Sequence, residues 1–382
     1  MHFLQAAKYI LCRLYLADKK IVMKQTLLLG TRKGFIAYKY KNGKWQSENL
    51  SHEGIPVSIA YADERNGTWW AALDHGHWGV KLHRSNDRGN TWEEVTAPAY
   101  PEGSEIKDGV PATTRYIWAM AHGGKKFPSR IWLGTDPGGL FLSEDNGSSF
   151  QLVESLWNHP TRKEGWFGGG RDQPGIHSVV VDPRNEERIH IGISCAGVFE
   201  TTDSGKTWSI RNKGMWADFL PNPDAETGYD PHILVAANSN PDMMWQQNHC
   251  SIFKSSDAAM NWEDVGQKGG TARFGFAIAV AEDNPNQAWV APANSDTTRT
   301  AIKGALCICR TDDGGKSWRV QTKGLPQEGC FDIVYRHCLV NSGDALAFGT
   351  TTGNLFFSPD RGESWQTINN YLPMIYSVQF VD

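Results

Sequence analysis

The sequence has no Cys-x-x-Cys pair, no basic run longer than a few residues, no long uncharged apolar stretch and no His-Glu-x-x-His. Each absence excludes something. Seven cysteines, an odd number without paired spacing, argue against a disulfide framework and point to a reducing, cytoplasmic setting. A net charge of -4 with scattered Lys and Arg leaves no electrostatic footprint for nucleic acid. The most apolar terminal stretch, residues 1–22, is broken by Lys8, Arg13 and Asp18. It makes neither a membrane span nor a secretory hydrophobic region, so no membrane partner is expected. It reads as a disordered or loosely helical extension ahead of one domain over residues 23–382. Without dense ligand spacing, no metal or other cofactor is assigned from motif alone.

What the sequence does contain is one phrase, repeated. Ser85-Asn-Asp87-Arg-Gly89-Asn-Thr91-Trp92 is the first copy, and variants start at Ser143, Thr201, Ser255, Thr311 and Ser358, about 47 to 58 residues apart. The shared pattern is Ser/Thr-x-Asp-x-Gly-x-Ser/Thr-Trp/Phe. It suits a tight hairpin. The Asp side chain accepts backbone N–H bonds, Gly takes a positive φ cheaply, and the aromatic ring opens the next strand. Recurrence at near-constant spacing marks a repeat architecture. The fourth copy has Ala259 for Gly and Asn261 for Thr, which predicts a looser turn. The 39 Gly and 16 Trp suit a turn-dense all-β chain with a bulky ring in each repeat.

Each repeat reads as four short strands, A to D from the centre outward. The first repeat has no A strand, and residues 375–380 supply one after the last D strand. The expectation is an all-β, single seven-bladed β-propeller closed by its C-terminal strand, which removes exposed sheet edges. In the seventh repeat the A strand is read over residues 331–339.

In such a ring the D–A and B–C connections gather around one mouth of the central channel, where polar clusters are candidate site parts. Asp74, His75, His77 and Trp78 fall on the B–C loop of blade 2, and Asp136 on that of blade 3. Trp166, Arg171 and His177 precede or open blade 4; Asp230 and His232 open blade 5, whose strand B ends in Gln246-Gln-Asn248-His249. Arg273 opens blade 6 and Asp332 blade 7. Four successive polar residues are costly to bury unpaired, so this run is expected to face a wet cavity. His232 and His249 are expected to meet there, with Asp230 beside them and Asp74 or His75 reaching in from blade 2. These five are the catalytic candidates. His77, Trp78, Arg115, Asp136, Trp166, Arg171, His177, Asn248, Arg273 and Asp332 are the substrate-binding candidates. Arg115, Arg171 and Arg273 suit clamping of a carboxylate or sulfate. The aromatic rings suit stacking on a sugar. The histidines leave two readings open, a general base or a bound divalent metal. Residues 98–114 are long enough to form a rim or lid.

The repeated phrase resembles the Asp-box, or BNR repeat, of the sialidase-like propellers, over residues 26–382 or so. Sialidases have six blades, an Arg-Ile-Pro motif and an arginine triad. Here the two Arg-Ile pairs, at Arg130 and Arg188, continue into Trp and His, so no sialidase residue carries over. The chain also resembles the seven-bladed Asp-box modules of xyloglucan-active endoglucanases. These use Asp pairs in a cleft between two propellers, whereas this chain has one. Asp74-His-Gly-His-Trp, Asp230-Pro-His and Gln246-Gln-Asn-His-Cys are similar to phrases of bacterial WD40/YVTN/BNR-like proteins, often labelled exo-α-sialidase or glycosyl hydrolase. Two functions follow from these resemblances. One is a hydrolase or lyase, not a true sialidase, acting on a glycan or other small polar ligand. The other is a non-catalytic binding or assembly scaffold. Oligomeric state leaves no mark in the sequence.

Overall fold

The repeated turn is the local unit from which the ring is built. In the computed structural model, which describes residues 23–382, Asp203 shows how it works. Its Oδ1 accepts from Thr201 Oγ1 (2.7 Å), Lys206 N (3.0 Å) and Thr207 N (2.9 Å), and its Oδ2 accepts from Thr207 Oγ1 (2.6 Å). Gly205 N donates back to Thr201 Oγ1 at 2.8 Å, with Gly205 at a φ of 86°. These bonds favour the ionised acid, so the Asp87, Asp145 and Asp313 carboxyls of the sister turns lie at about 2. The fourth turn is not loose. Asn261 replaces the hydroxyl, donating to Asp257 Oδ1 from its backbone and to Oδ2 from its amide. The cost falls on the backbone instead, where Ala258 and Ala259 are both held at positive φ.

The turns join strands C and D in six of seven four-stranded antiparallel sheets, and Asn42-Gly43 does so in blade 1. Blade 2 runs Val57–Asp63, Thr68–Asp74, Val80–Ser85 and Glu93–Val95 from the axis outward. Blade 5 runs Pro231–Ala237, Asn240–Asn248, Ile252–Ser255 and Glu263–Asp264. Blade 1 is completed by Ile375–Val381, which pairs antiparallel with Thr26–Thr31 and closes the ring. The small residue near the end of strand B is there for packing. A Cβ on Gly30 would lie 2.7 Å from the Val57 carbonyl of the next blade.

Blade 7 departs from expectation. Its innermost strand is Leu339–Ser342, not residues 331–339. The chain before it turns at Tyr335–Cys338 and gives the His337 carbonyl to Val378 N of blade 1 rather than to its own sheet. The expectation for residues 1–22 lies outside the described residues. Cys195, Cys250, Cys307, Cys309, Cys330 and Cys338 are free. No helix among the described residues is long and apolar enough to cross a membrane.

Asp203→Ala is expected to lower unfolding free energy by about 1–2 kcal/mol, because four donors lose their acceptor at a half-exposed turn. Ligand binding should not change, since these turns lie at the end of the ring away from the mouth. Denaturant unfolding beside ligand titration checks both.

Candidate functional site

Six of the seven innermost strands share one irregularity near the mouth. The pairing register slips by a residue at Ser58, Trp118, His177, His232, Phe276 and Tyr376. Such a bulge leaves one residue unpaired and re-aims its side chain. Ser58, Trp118, His232, Phe276 and Tyr376 thereby line a cavity of about 460 Å³, and the irregular blade 7 segment adds Arg336. His177 instead lies deeper, with His337, on the wall of a second cavity of about 230 Å³ further along the channel.

Blade 5 places the densest chemistry on this wall. Asp230 and His232 flank Pro231 at the start of strand A, and His249 follows strand B. The His249 backbone N–H donates to the Asp230 carbonyl at 2.9 Å, which ties the two loops together. Asp230 Oδ2 lies 3.4 Å from His232 Nε2 and 3.6 Å from His249 Nδ1. Asp230 Oδ1 accepts from Ser194 Oγ (3.0 Å) and Cys195 N (3.2 Å). His232 Nδ1 donates to the Gly275 carbonyl at 2.6 Å, and its ring stacks on Phe276 with centroids 4.6 Å apart. His249 Nε2 faces Asp296 Oδ2 at 3.7 Å, and its ring meets the edges of Phe219 and Phe274.

The electrostatics follow from this geometry. Burial alone would raise the Asp230 carboxyl, but the two imidazoles and the Arg336 charge hold it well below its usual value. Asp230 in turn raises His249, while burial lowers His232. Arg336 lies over Trp118 and Phe276, with its guanidinium carbon 4.8 and 5.7 Å from the ring centroids. Its Nε is sealed from solvent without a hydrogen-bond partner among the described residues, as are His177 Nε2 and His337 Nε2. Among the described residues no carboxylate approaches Arg336 within ion-pair distance. Arg171 and Arg299 line the same cavity. Arg171 is paired with Asp136.

The structure therefore brings together Asp230, His232, His249 and Arg171 and leaves the other expected residues apart. Asp74, His75, His77 and Trp78 stay on the blade 2 loop, off the cavity wall, and Trp78 is 70% exposed. A short 3-10 turn over Gly76–Trp78 folds this loop back on itself. Asn248 is buried and spent internally: its amide donates to Gln246 Oε1 at 3.1 Å and its carbonyl accepts from Cys250 N. Gln247 donates to the Arg273 carbonyl at 2.8 Å. The polar run is thus satisfied within blade 5 and against the start of blade 6, and of its four residues only His249 reaches the cavity. Trp166 is core, against Phe199, with its Nε1 bonded to Thr161. Asp332 is buried and accepts from Asn354 and Thr352, holding its own loop. Arg115 is exposed and off the wall, and Arg273 stacks on Trp216 over a shallower neighbouring pocket. Asp136 is buried behind Arg171 and holds that side chain in place. Residues 98–114 are pinned as a rim, with Arg162 donating to the Glu105 and Ile106 carbonyls.

Arg336, Trp118 and Phe276 were not legible as site residues. Their signal was an Arg-His pair, Arg336-His337, in what reads as an innermost strand, and large rings at the third position of strand A in blade 3 and the second in blade 6.

No protein-family model matches the chain. It is 27% identical over 304 residues to a probable oligoxyloglucan-reducing end-specific xyloglucanase of Neosartorya fischeri, covering 72% of this chain and 34% of that protein. It is 23% identical over 325 residues to a xyloglucanase of Paenibacillus sp., covering 78% of this chain and 28% of that protein. The chain thus spans about a third or less of the length of these relatives. Among solved structures, an ancestral GH74 enzyme superposes with a TM-score of 0.56 at 15% identity, over 91% of this chain and 40% of that one. YCF48 from Cyanidioschyzon merolae superposes at 0.54 and 13% identity, over 87% and 90%. These likenesses support the seven-bladed propeller fold.

Proposed function

We propose that the mouth cavity is the active site of a hydrolase or lyase acting on a carbohydrate or another small polar substrate that carries a negative charge. One observation carries this reading: the Asp230–His232–His249 cluster and Arg336, a guanidinium that no carboxylate among the described residues approaches within ion-pair distance, face one cavity. The volume suits a small ligand. Arg336, Arg171 and Arg299 form the anion-holding end. The cluster forms the reacting end, and the aromatic walls exclude water and offer faces to a sugar ring. The relatives named as xyloglucanases support a carbohydrate hydrolase, and the turn sequence supports membership of the Asp-box, sialidase-like propellers.

The test is a turnover screen of neutral and acidic glycosides, uronates and carboxylate esters. Acidic substrates are expected to be processed. Arg336→Met should raise KM for them by roughly ten- to a hundredfold, the worth of a lost charged hydrogen bond. If acidic ligands bind without turnover, the alternative of a non-catalytic binding propeller takes over. If they neither bind nor react, the reading fails.

A further inference from the structure

We infer that Asp230 Oδ2, His232 Nε2 and His249 Nδ1 are the three protein ligands of a divalent metal ion of the zinc type, which rests on the reading of this cavity as the reacting centre. The three ligand atoms lie within 4.8 Å of one another, and the two imidazole nitrogens stand 3.4 and 3.6 Å from the shared carboxylate oxygen. Both separations are long for a charge-assisted hydrogen bond, which runs at about 2.7–2.9 Å. They approximate the edge of a tetrahedron with metal–ligand arms of about 2.1 Å, roughly 3.4 Å.

A second feature points the same way. His232 Nδ1 is committed to the Gly275 carbonyl, which leaves Nε2 as the ring atom presented to the Asp230 carboxylate and the cavity. Two of the three ligands also have the hydrogen-bonded outer partner that metal ligands characteristically keep. His232 has the Gly275 carbonyl, and Asp230 Oδ1 has Ser194 Oγ and Cys195 N. Asp296 Oδ2 stands 3.7 Å from His249 Nε2, a favourable charge beside it rather than a hydrogen bond. Two imidazoles and one carboxylate, with the remaining positions open to a cavity, make a catalytic rather than a structural donor set. Bound there, the ion would lower the pKa of a coordinated water to about 7 and supply the hydrolytic nucleophile. Arg336, on the same wall, would hold the substrate's negative group rather than compete for the metal.

The experiment is uptake of Co2+ and Zn2+ by the metal-stripped full chain, read by calorimetry and by the visible absorption of Co2+. One equivalent should bind and give the intense d–d bands of four- or five-coordinate cobalt. His232→Ala and His249→Ala should each weaken binding at least a hundredfold, while Arg336→Met retains it. Circular dichroism and melting confirm that the variants fold, and Asp230→Asn serves as a third, near-isosteric probe. Absence of stoichiometric uptake would overturn the inference. So would uptake unchanged in the histidine variants, or a thiolate charge-transfer band from the free cysteines. Because uptake is read without substrate, an active enzyme indifferent to metal would end this inference and leave the proposed function standing. A stoichiometric metal site in a chain that turns over nothing would do the reverse.

Discussion

Deleting residues 373–382 should open the ring and cost most of the stability of the protein. The lost strand, Ile375–Val381, is the innermost strand of blade 1. It buries Ile375, Val378, Phe380 and Val381, each no more than 4% exposed. Full burial of each such side chain is worth about 1.5–3 kcal/mol, so the apolar loss alone is on the order of 6–12 kcal/mol. That matches the whole stability of a typical domain, about 5–15 kcal/mol. Polar links go too. Ser377 Oγ accepts from Ala60 N at 3.0 Å, and Gln379 bonds both the N–H and the carbonyl of Ala62, so the strand also ties blade 1 to blade 2. Thr26–Thr31 would become an uncovered edge and a template for aggregation. The expected result is insoluble protein, or a soluble fraction without a cooperative melt. A truncated chain that stays monomeric and melts with the full-length protein would show that the ring does not depend on this closure.

His249→Ala is expected to remove turnover almost completely, by about a thousandfold in kcat/KM, within the range for a group that takes part in proton transfer or nucleophile activation. The stability cost should be small, about 1 kcal/mol. The imidazole is half-buried, at 26% side-chain exposure. Asp230 keeps its bonds from Ser194 and Cys195 and its contact with His232. The residues that carry the fold here are the buried Gln247 and Asn248 just before it, whose bonds run to the Arg273 carbonyl at the start of blade 6 and to Gln246 rather than into the cavity. A Gln247→Ala variant should therefore show the converse, a lower melting temperature with kcat less affected. If His249→Ala retains wild-type kcat/KM on the substrate found by the screen, the cluster is not the reacting end.

The ring itself was legible in the amino-acid sequence. The six turn phrases state their hydrogen bonds locally: a hydroxyl, a carboxylate and a small residue at fixed offsets close the same loop whatever surrounds it. Their count and spacing, with an A-like strand at the C-terminus, determine seven blades and closure. The meeting of His232, His249 and Asp230 could also be read, because strands A and B of one blade are neighbours. Which side chains face the cavity was decided only by the tertiary structure. A run such as Gln246 to His249 has the same polarity throughout, yet three of its residues bond away from the cavity and one enters it. That outcome depends on where Met215, Ser251 and the Arg273 carbonyl lie, and these are brought there by other turns. Arg336 escaped because the chain before the short inner strand of blade 7 leaves its own sheet for blade 1. Trp118 and Phe276 escaped for a related reason. A one-residue slip at the start of an innermost strand reverses the face a side chain presents. That slip is set by packing between blades around the closed ring, which no local stretch of sequence encodes.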